Sequence, residues 1–263
     1  MNGTLGSGLL ATLALCGALA LTGCGTDRTV ARYSASFEVE SLDDVIFAHD
    51  AGDLVVVGEA GRDTIEIDAK LRTSRSSKHD EDAKDGVVID LIELDDGTGE
   101  LIIDLRAAPS GYYFDVTLEV PDRLAMTIDD DSGDLVVQNL AYLTLDDGSG
   151  DAVVENIARG AVIVDGSGDL VVRDVGGPLN CTDDSGDLVL EDVVGDVRLD
   201  DGSGDLVVRR VGGDVSVDDG SGDLVVTDVG GRVTVRDGSG DILVKDAGSV
   251  EIPQSGSGDV HVE

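Results

Sequence analysis

Tryptophan is absent from this sequence, and aromatic residues of all kinds make up 3% of it. A core built around large rings is therefore excluded, and any interior must be filled by small aliphatic side chains. Proline occurs four times in 263 residues, too rarely for a Pro-rich linker. The three histidines, His49, His79 and His261, form no recognisable cluster, and no serine-nucleophile elbow, phosphate loop or zinc spacing is present. The three cysteines, Cys16, Cys24 and Cys181, make neither a disulfide framework nor a zinc site. Basic residues are scarce: 18 Lys and Arg stand against 55 Asp and Glu, for a net charge of −37, and only four of the basic residues are Lys. Such a surface repels nucleic acid and anionic membranes, so no nucleic-acid partner is expected. It suits solubility, cation binding or high salt, and fits a salt-loving source as well as an ordinary acidic secreted protein.

What is abundant is Val, Leu, Gly and Asp, the composition of many short strands joined by tight turns. A Ser-Gly-Asp triplet recurs with its Asp at 134, 151, 169, 187, 205, 223, 241 and 259, a spacing of 17 and then 18 residues. Each unit reads like residues 205–222, DLVVRRVGGDVSVDDGSG, two strand-like runs separated by two Gly-rich turns. Period-2 alternation assigns the faces. Leu206 and Val208 point inward, as do Val215 and Val217, while Asp214, Ser216 and Asp218 face water. Cys181 falls at an inward position and reads as a small buried hydrophobe. One unit cannot bury its aliphatics alone, but stacked units can. The fold class expected is all-β: a parallel β-solenoid with 18-residue coils and two strands per coil, taken as right-handed. A chain of antiparallel hairpins is the competing arrangement.

Residues 37–130 follow the same grammar less regularly. Segments 51–57 and 97–103 echo the triplet and its strand, 64–69 and 114–120 alternate as strands, and 72–86 is a polar loop with room for one helical turn. This irregular part is expected to start or cap the regular solenoid of residues 131–263. A strand ending in Val120-Pro121, followed by repeated Ser-Gly-Asp-Leu/Ile-x-Val coils, resembles the bacterial "putative adhesin" solenoid family of envelope proteins. The likeness runs over roughly residues 37–263 and implies the fold and an adhesin-like role, with no catalytic residues to carry over.

Residues 9–21 form an apolar run of signal-peptide length ending in Leu21-Thr22-Gly23-Cys24. This resembles the bacterial lipoprotein signal, in which the Cys becomes the lipidated N-terminus. It implies a signal peptide over 1–23, a lipidated tether over 24–36 and a membrane anchor through Cys24. The segment ahead of the run carries no Lys or Arg, a departure from the pattern. Gly25, rather than Asp, implies outer-membrane sorting if the source is Gram-negative.

Three sets of residues could carry function. Stacking aligns Asp169, Asp187, Asp205, Asp223 and Asp241 in one row, and Asp183, Asp201 and Asp219 in a second near the same edge. They are either turn-forming acids or Ca²⁺ ligands, since acidic oxygen-rich turns suit hard cations. Val136, Val153, Val171, Val189, Val207, Val225 and Leu243 form an outward row that either packs on itself along the ladder or contacts a partner: a protein, a glycan or cell wall. Carboxylates repeat in every coil, so no acid pair is singled out as in a polysaccharide-cleaving β-helix. The leading expectation is a non-catalytic envelope scaffold without a required cofactor. A calcium-dependent module is second and a carbohydrate-active β-helix third.

Overall fold

The structure is a computed structural model that describes residues 14–16, 27–74, 80–105 and 111–263, the first of these as backbone. The leader's remaining residues and Cys24 lie outside this set.

The repeat folds as stacked parallel coils of about 18 residues, a β-solenoid. Parallel pairing, Leu188 beside Leu206 and Val197 beside Val215, excludes the antiparallel hairpin chain. The first strand of each unit joins one sheet, as in Leu206–Val211. The second joins the facing sheet, as in Val215–Asp219. Leu206, Val208, Val211, Val215 and Val217 all point into the space between the sheets and are almost fully buried. Cys181 is buried among them, and that burial pushes its thiol's pKa up. Covering a Leu or Val in this way is worth roughly 1.5–3 kcal/mol. No coil covers its own aliphatics; the coils above and below do.

Period 2 alone would send Val211 outward. It faces inward because Arg210 adopts φ 56°, a left-handed residue that bends the chain into the Gly212-Gly213 turn. The same corner recurs at Asn139, Asn156, Asp174, Asp192, Asp228 and Asp246. Asn and Asp enter this conformation more easily than other non-glycine residues, which explains the choice at six of the seven corners. At the other end of the coil the Gly of Ser-Gly-Asp sits at positive φ, 145° at Gly204. A Cβ there would lie 1.6 Å from the Gly186 carbonyl oxygen of the preceding coil. Only glycine permits this approach.

The first half closes one end of the rod, and its strands do not stack in chain order. Leu54–Glu59 lies between the first regular coil and Tyr112–Pro121. The latter pairs antiparallel with Thr64–Thr73, which pairs antiparallel with Arg28–Glu38. In the facing sheet Asp44–His49 lies between Ala125–Asp130 and Gly99–Leu105. The echo at 97–103 therefore enters the sheet opposite to that of its counterparts in the regular coils. Gly99–Leu105 also pairs antiparallel with Val87–Glu93. Phe37, Phe47 and Phe114, all the phenylalanines of the chain, are buried in this wider cap.

The expected tether over 24–36 is corrected: from Arg28 onward it is strand. Ala31, Tyr33, Ala35 and Phe37 alternate with polar residues and bury one face against the cap, which a free tether could not do. Of the expected polar loop 72–86, Thr73 still belongs to a strand and Asp80–Asp85 form a short helix. That helix is held by a hydrogen bond from the Tyr33 hydroxyl to the Lys84 carbonyl at 3.0 Å. Residues 75–79 lie outside the described set.

Candidate functional site

The two acid rows differ in kind. The row of Asp169, Asp187, Asp205, Asp223 and Asp241 is exposed. Parallel stacking leaves the backbone N–H of each of these Asp residues pointing at the preceding coil with no carbonyl to meet it. The side chain of the preceding Asp supplies the acceptor. Asp187 Oδ1 accepts from Asp205 N–H at 3.0 Å, Asp205 Oδ1 from Asp223 N–H at 3.1 Å, and Asp223 Oδ1 from Asp241 N–H at 3.0 Å. The glycine and leucine on either side donate the opposite way, Gly204 to the Ser221 carbonyl and Leu206 to the Asp223 carbonyl. The outer carboxylates are thus part of the ladder. The opposite turn repeats the device where Asp is available: Asp214 N–H donates to Asp196 Oδ1 at 2.8 Å.

The second row does not lie on the surface beside the first. Asp183, Asp201 and Asp219 point inward and are at most 2% exposed, together with Asp130, Asp147, Asp165 and Asp237. Parity explains it: Asp219 follows Val215 and Val217 at the same spacing, so it shares their face. The earlier placement of these three acids at the turn edge is therefore corrected.

The inner row is in strict register. Asp130 pairs with Asp147, Asp147 with Asp165, Asp165 with Asp183, Asp183 with Asp201, Asp201 with Asp219 and Asp219 with Asp237. One Oδ of Asp147, Asp165 and Asp183 accepts from the N–H of the Ser two residues on, at 3.2, 3.0 and 3.0 Å. The other oxygen has no partner; in Asp201, Asp219 and Asp237 the N–H of the Ser two residues on still favours the charged form, but it falls outside hydrogen-bond geometry and leaves both oxygens short. Loss of hydration, reinforced by the neighbouring acids, pushes Asp147, Asp165, Asp183 and Asp219 up to about 6 and Asp201 up to about 7. At the cap His49, 6% exposed, ends the row. Its Nδ1 lies 3.1 Å from Asp130 Oδ1, and its Nε2 lies 3.0 Å from the Phe114 carbonyl oxygen.

Among the described residues no group of three or more His, Cys, Asp or Glu side chains is placed to hold a metal ion. The acids offered above as Ca²⁺ ligands thus divide into an outer row (Asp169, Asp187, Asp205, Asp223, Asp241), with one oxygen of each engaged by a backbone N–H, and an inner row (Asp183, Asp201, Asp219) closed to solvent.

The outward stripe of Val136, Val153, Val171, Val189, Val207, Val225 and Leu243 is continuous and half-buried by its own neighbours, and Val55 of the cap extends it. Beside it runs a row of alternating sign, Glu155, Arg173, Glu191 and Arg209. Gln138 Nε2 donates to Glu155 at 2.9 Å, and Arg173 Nη1 lies 3.3 Å from Glu155. Glu191 then meets Arg173 at 3.6 Å, Arg209 at 3.1 Å and Arg210 at 3.4 Å.

A search of curated proteins found no match. Several solved structures are similar to this chain. One named "putative adhesin" from Parabacteroides merdae is 14% identical, with a TM-score of 0.51 over 88% of this chain and 96% of its own. Another of the same name from Bacteroides fragilis is 12% identical, with a TM-score of 0.45 over 88% and 97%. A "putative lipid binding protein" from Parabacteroides distasonis is 14% identical, with a TM-score of 0.48 over 88% and 96%. A family model described as Toastrack DUF4097 matches residues 46–263, from the cap's first coil strand through every repeat, and the chain belongs to that family.

Proposed function

We propose that this protein is a non-catalytic, adhesin-like scaffold of the cell envelope, anchored through a lipid on Cys24, that makes contacts along the length of its rod. The observation that carries this reading is the sameness of successive coils. Each presents the same outer Asp, the same outward Val or Leu and the same Ser-Gly-Asp turn, and no coil gathers a nucleophile, base and acid of the kind catalysis requires. A surface repeated every 4.8 Å or so suits a contact that is also extended, such as a glycan strand, cell wall or another rod-like protein. The stripe from Val136 to Leu243 is the contact face in this reading, because it is the one continuous apolar feature on the outside of the regular coils.

The name borne by structures of the same fold supports adhesion as the class of role. No helix among the described residues is long and apolar enough to cross a membrane. In this reading the lipid on Cys24 makes the attachment. In a Gram-negative source the expected location is the outer membrane.

Two measurements test it. Fractionation of cells carrying the full chain should place it with membranes, and Cys24→Ala should move it to the soluble fraction; persistence with membranes would defeat the anchor. Cells displaying the chain should attach to a cell-wall or glycan surface. Replacing Val171, Val189 and Val207 together by Thr should abolish attachment without unfolding the rod. Unchanged attachment would exclude the stripe.

A further inference from the structure

The inner acid row is built unlike the rest of the molecule. Seven carboxyl groups stand in register in a sealed interior, adjacent ones about 4.8 Å apart by strand spacing. Every charged group facing Asp201 is itself acidic: Asp183 and Asp219 along the row and Asp187 of the outer row, opposed only by the Ser203 backbone N–H. The same holds for Asp165, which faces Asp147, Asp151 and Asp184. Asp147 faces Asp130 and Asp146. Asp183 faces Asp165, Asp169 and Asp184, and Asp219 faces Asp237, Asp205 and Asp218. The thiol of Cys181 lies nearby. Among the described residues, the basic group against the row is His49, at its capped end. Neighbouring carboxylates hidden from water cannot all remain ionised without a counter-charge. A carboxyl that keeps its proton becomes a donor, and donors are what the orphaned oxygens lack.

We propose that this row is a proton-binding file running from His49 to Asp237, which holds protons when the rod is tight and releases them as the medium turns alkaline, loosening the stack of coils. The His49 contact fits one end of such a file. The Phe114 carbonyl can only accept, so Nε2 carries a hydrogen, and a single proton between Nδ1 and Asp130 then completes the pair.

The sign follows from the proton count. An unfolded Asp loses its proton near 3.8, whereas Asp147, Asp165, Asp183 and Asp219 keep theirs to about 6 and Asp201 to about 7. Between these values the folded rod binds more protons than the unfolded chain, so stability falls as pH rises. The contribution is complete below an unfolded Asp's value and is lost through the range 6 to 7.

The test compares two pairs of substitutions in the full chain. Asp201→Asn with Asp219→Asn neutralises two inward positions. Asp200→Asn with Asp218→Asn makes the same charge change one residue away, on the exposed face. Urea midpoints are read at about pH 5 and about pH 8 in constant high salt, on either side of the folded-state values of about 6 to 7. The unaltered chain should lose midpoint toward pH 8. The inner pair should remove roughly two-fifths of that loss, since it neutralises two of the five groups pushed up to about 6 or 7, and the outer pair should leave it intact. Equal effects of the two pairs would overturn the proposal. Should the inner pair not fold, carboxyl carbon NMR of the unaltered chain decides: a set of Asp carboxyls must titrate above pH 5. Completion of all carboxyl titration below that point would overturn the proposal. So would a Ca²⁺ requirement at pH 8 that NaCl cannot meet, because cations would then occupy the row.

Discussion

The carboxylate of Asp205 accepts a hydrogen bond from the backbone N–H of Asp223, one coil further along the rod, at 3.1 Å. It is one link of a chain in which each outer Asp serves as the missing carbonyl of a parallel ladder. The acid is therefore present for the shape and acceptor capacity of its side chain, and its charge is a by-product that the surface must tolerate.

That distinction gives a direct prediction. Asp205→Ala removes the acceptor and leaves the Asp223 N–H without it, which should cost about 1 kcal/mol. Asp205→Asn keeps an Oδ1 acceptor and removes one charge from a repelling row, so its denaturation midpoint should stay within about 0.5 kcal/mol of the parent at low salt. If Asn is as damaging as Ala, the charge itself is needed and the ladder role fails.

The close approach at the Ser-Gly-Asp turn gives a second prediction. Gly204→Ala meets both a positive φ and a carbonyl oxygen 1.6 Å from the new Cβ, so two coils must separate. The loss should exceed about 3 kcal/mol, since the left-handed cost of roughly 1–2 kcal/mol is only part of it. Gly61→Ala is the control, with φ +76° and nothing within 4 Å. It should lose about 1–2 kcal/mol, the conformational cost alone. Thermal midpoints of the two variants measured side by side separate crowding from backbone preference.

Most of the regular coil was legible from spacing. The inward set Leu206, Val208, Val215 and Val217 followed from period 2, and all four are buried. Three features escaped for physical reasons. Asp219 shares the parity of Val217, but an acidic residue beside a Gly-rich turn reads as solvated, so burial of its charge was not anticipated. Val211 is inward only because Arg210 is left-handed, and an Arg gives no signal for that conformation. The cap's strand order, with Leu54–Glu59 set against the first regular coil across some 80 residues of chain, depends on long-range pairing that local alternation does not encode. Residues 31–37 did carry a legible alternation, and proximity to the leader masked it.

Glu191 is the hub of the ion row, 17% exposed on its side chain and within 3.1–3.6 Å of Arg173, Arg209 and Arg210. Glu191→Lys would place four cations together on adjacent coils. Like charges directly across a ladder destabilise by roughly the amount that opposite charges stabilise, about 0.2–1 kcal/mol per pair. The variant should lose about 1–3 kcal/mol, and added NaCl should recover part of it, because the site is open enough to be screened. A loss indifferent to salt would point to packing of the Glu stem instead.

The last prediction concerns cations. A thermal melt of the chain from residue 25 onward, compared in EDTA, in Ca²⁺ and in NaCl of matched ionic strength, tests whether the acid rows are ligands. In the outer row, Oδ1 is engaged by the next coil's N–H from Asp134 through Asp241, and the inner row is sealed. With no convergent set of acids among the described residues, Ca²⁺ has only single outward oxygens to bind. The repulsion along the outer row, whose carboxylates sit about 5 Å apart in contact with water, is of a kind that any salt screens. Ca²⁺ and NaCl should therefore raise the midpoint alike, and EDTA should change nothing. A midpoint raised by Ca²⁺ alone would mean that oxygens from successive coils turn outward to share an ion. The outer row would then be a calcium ladder, and the calcium-dependent module would replace the screened scaffold.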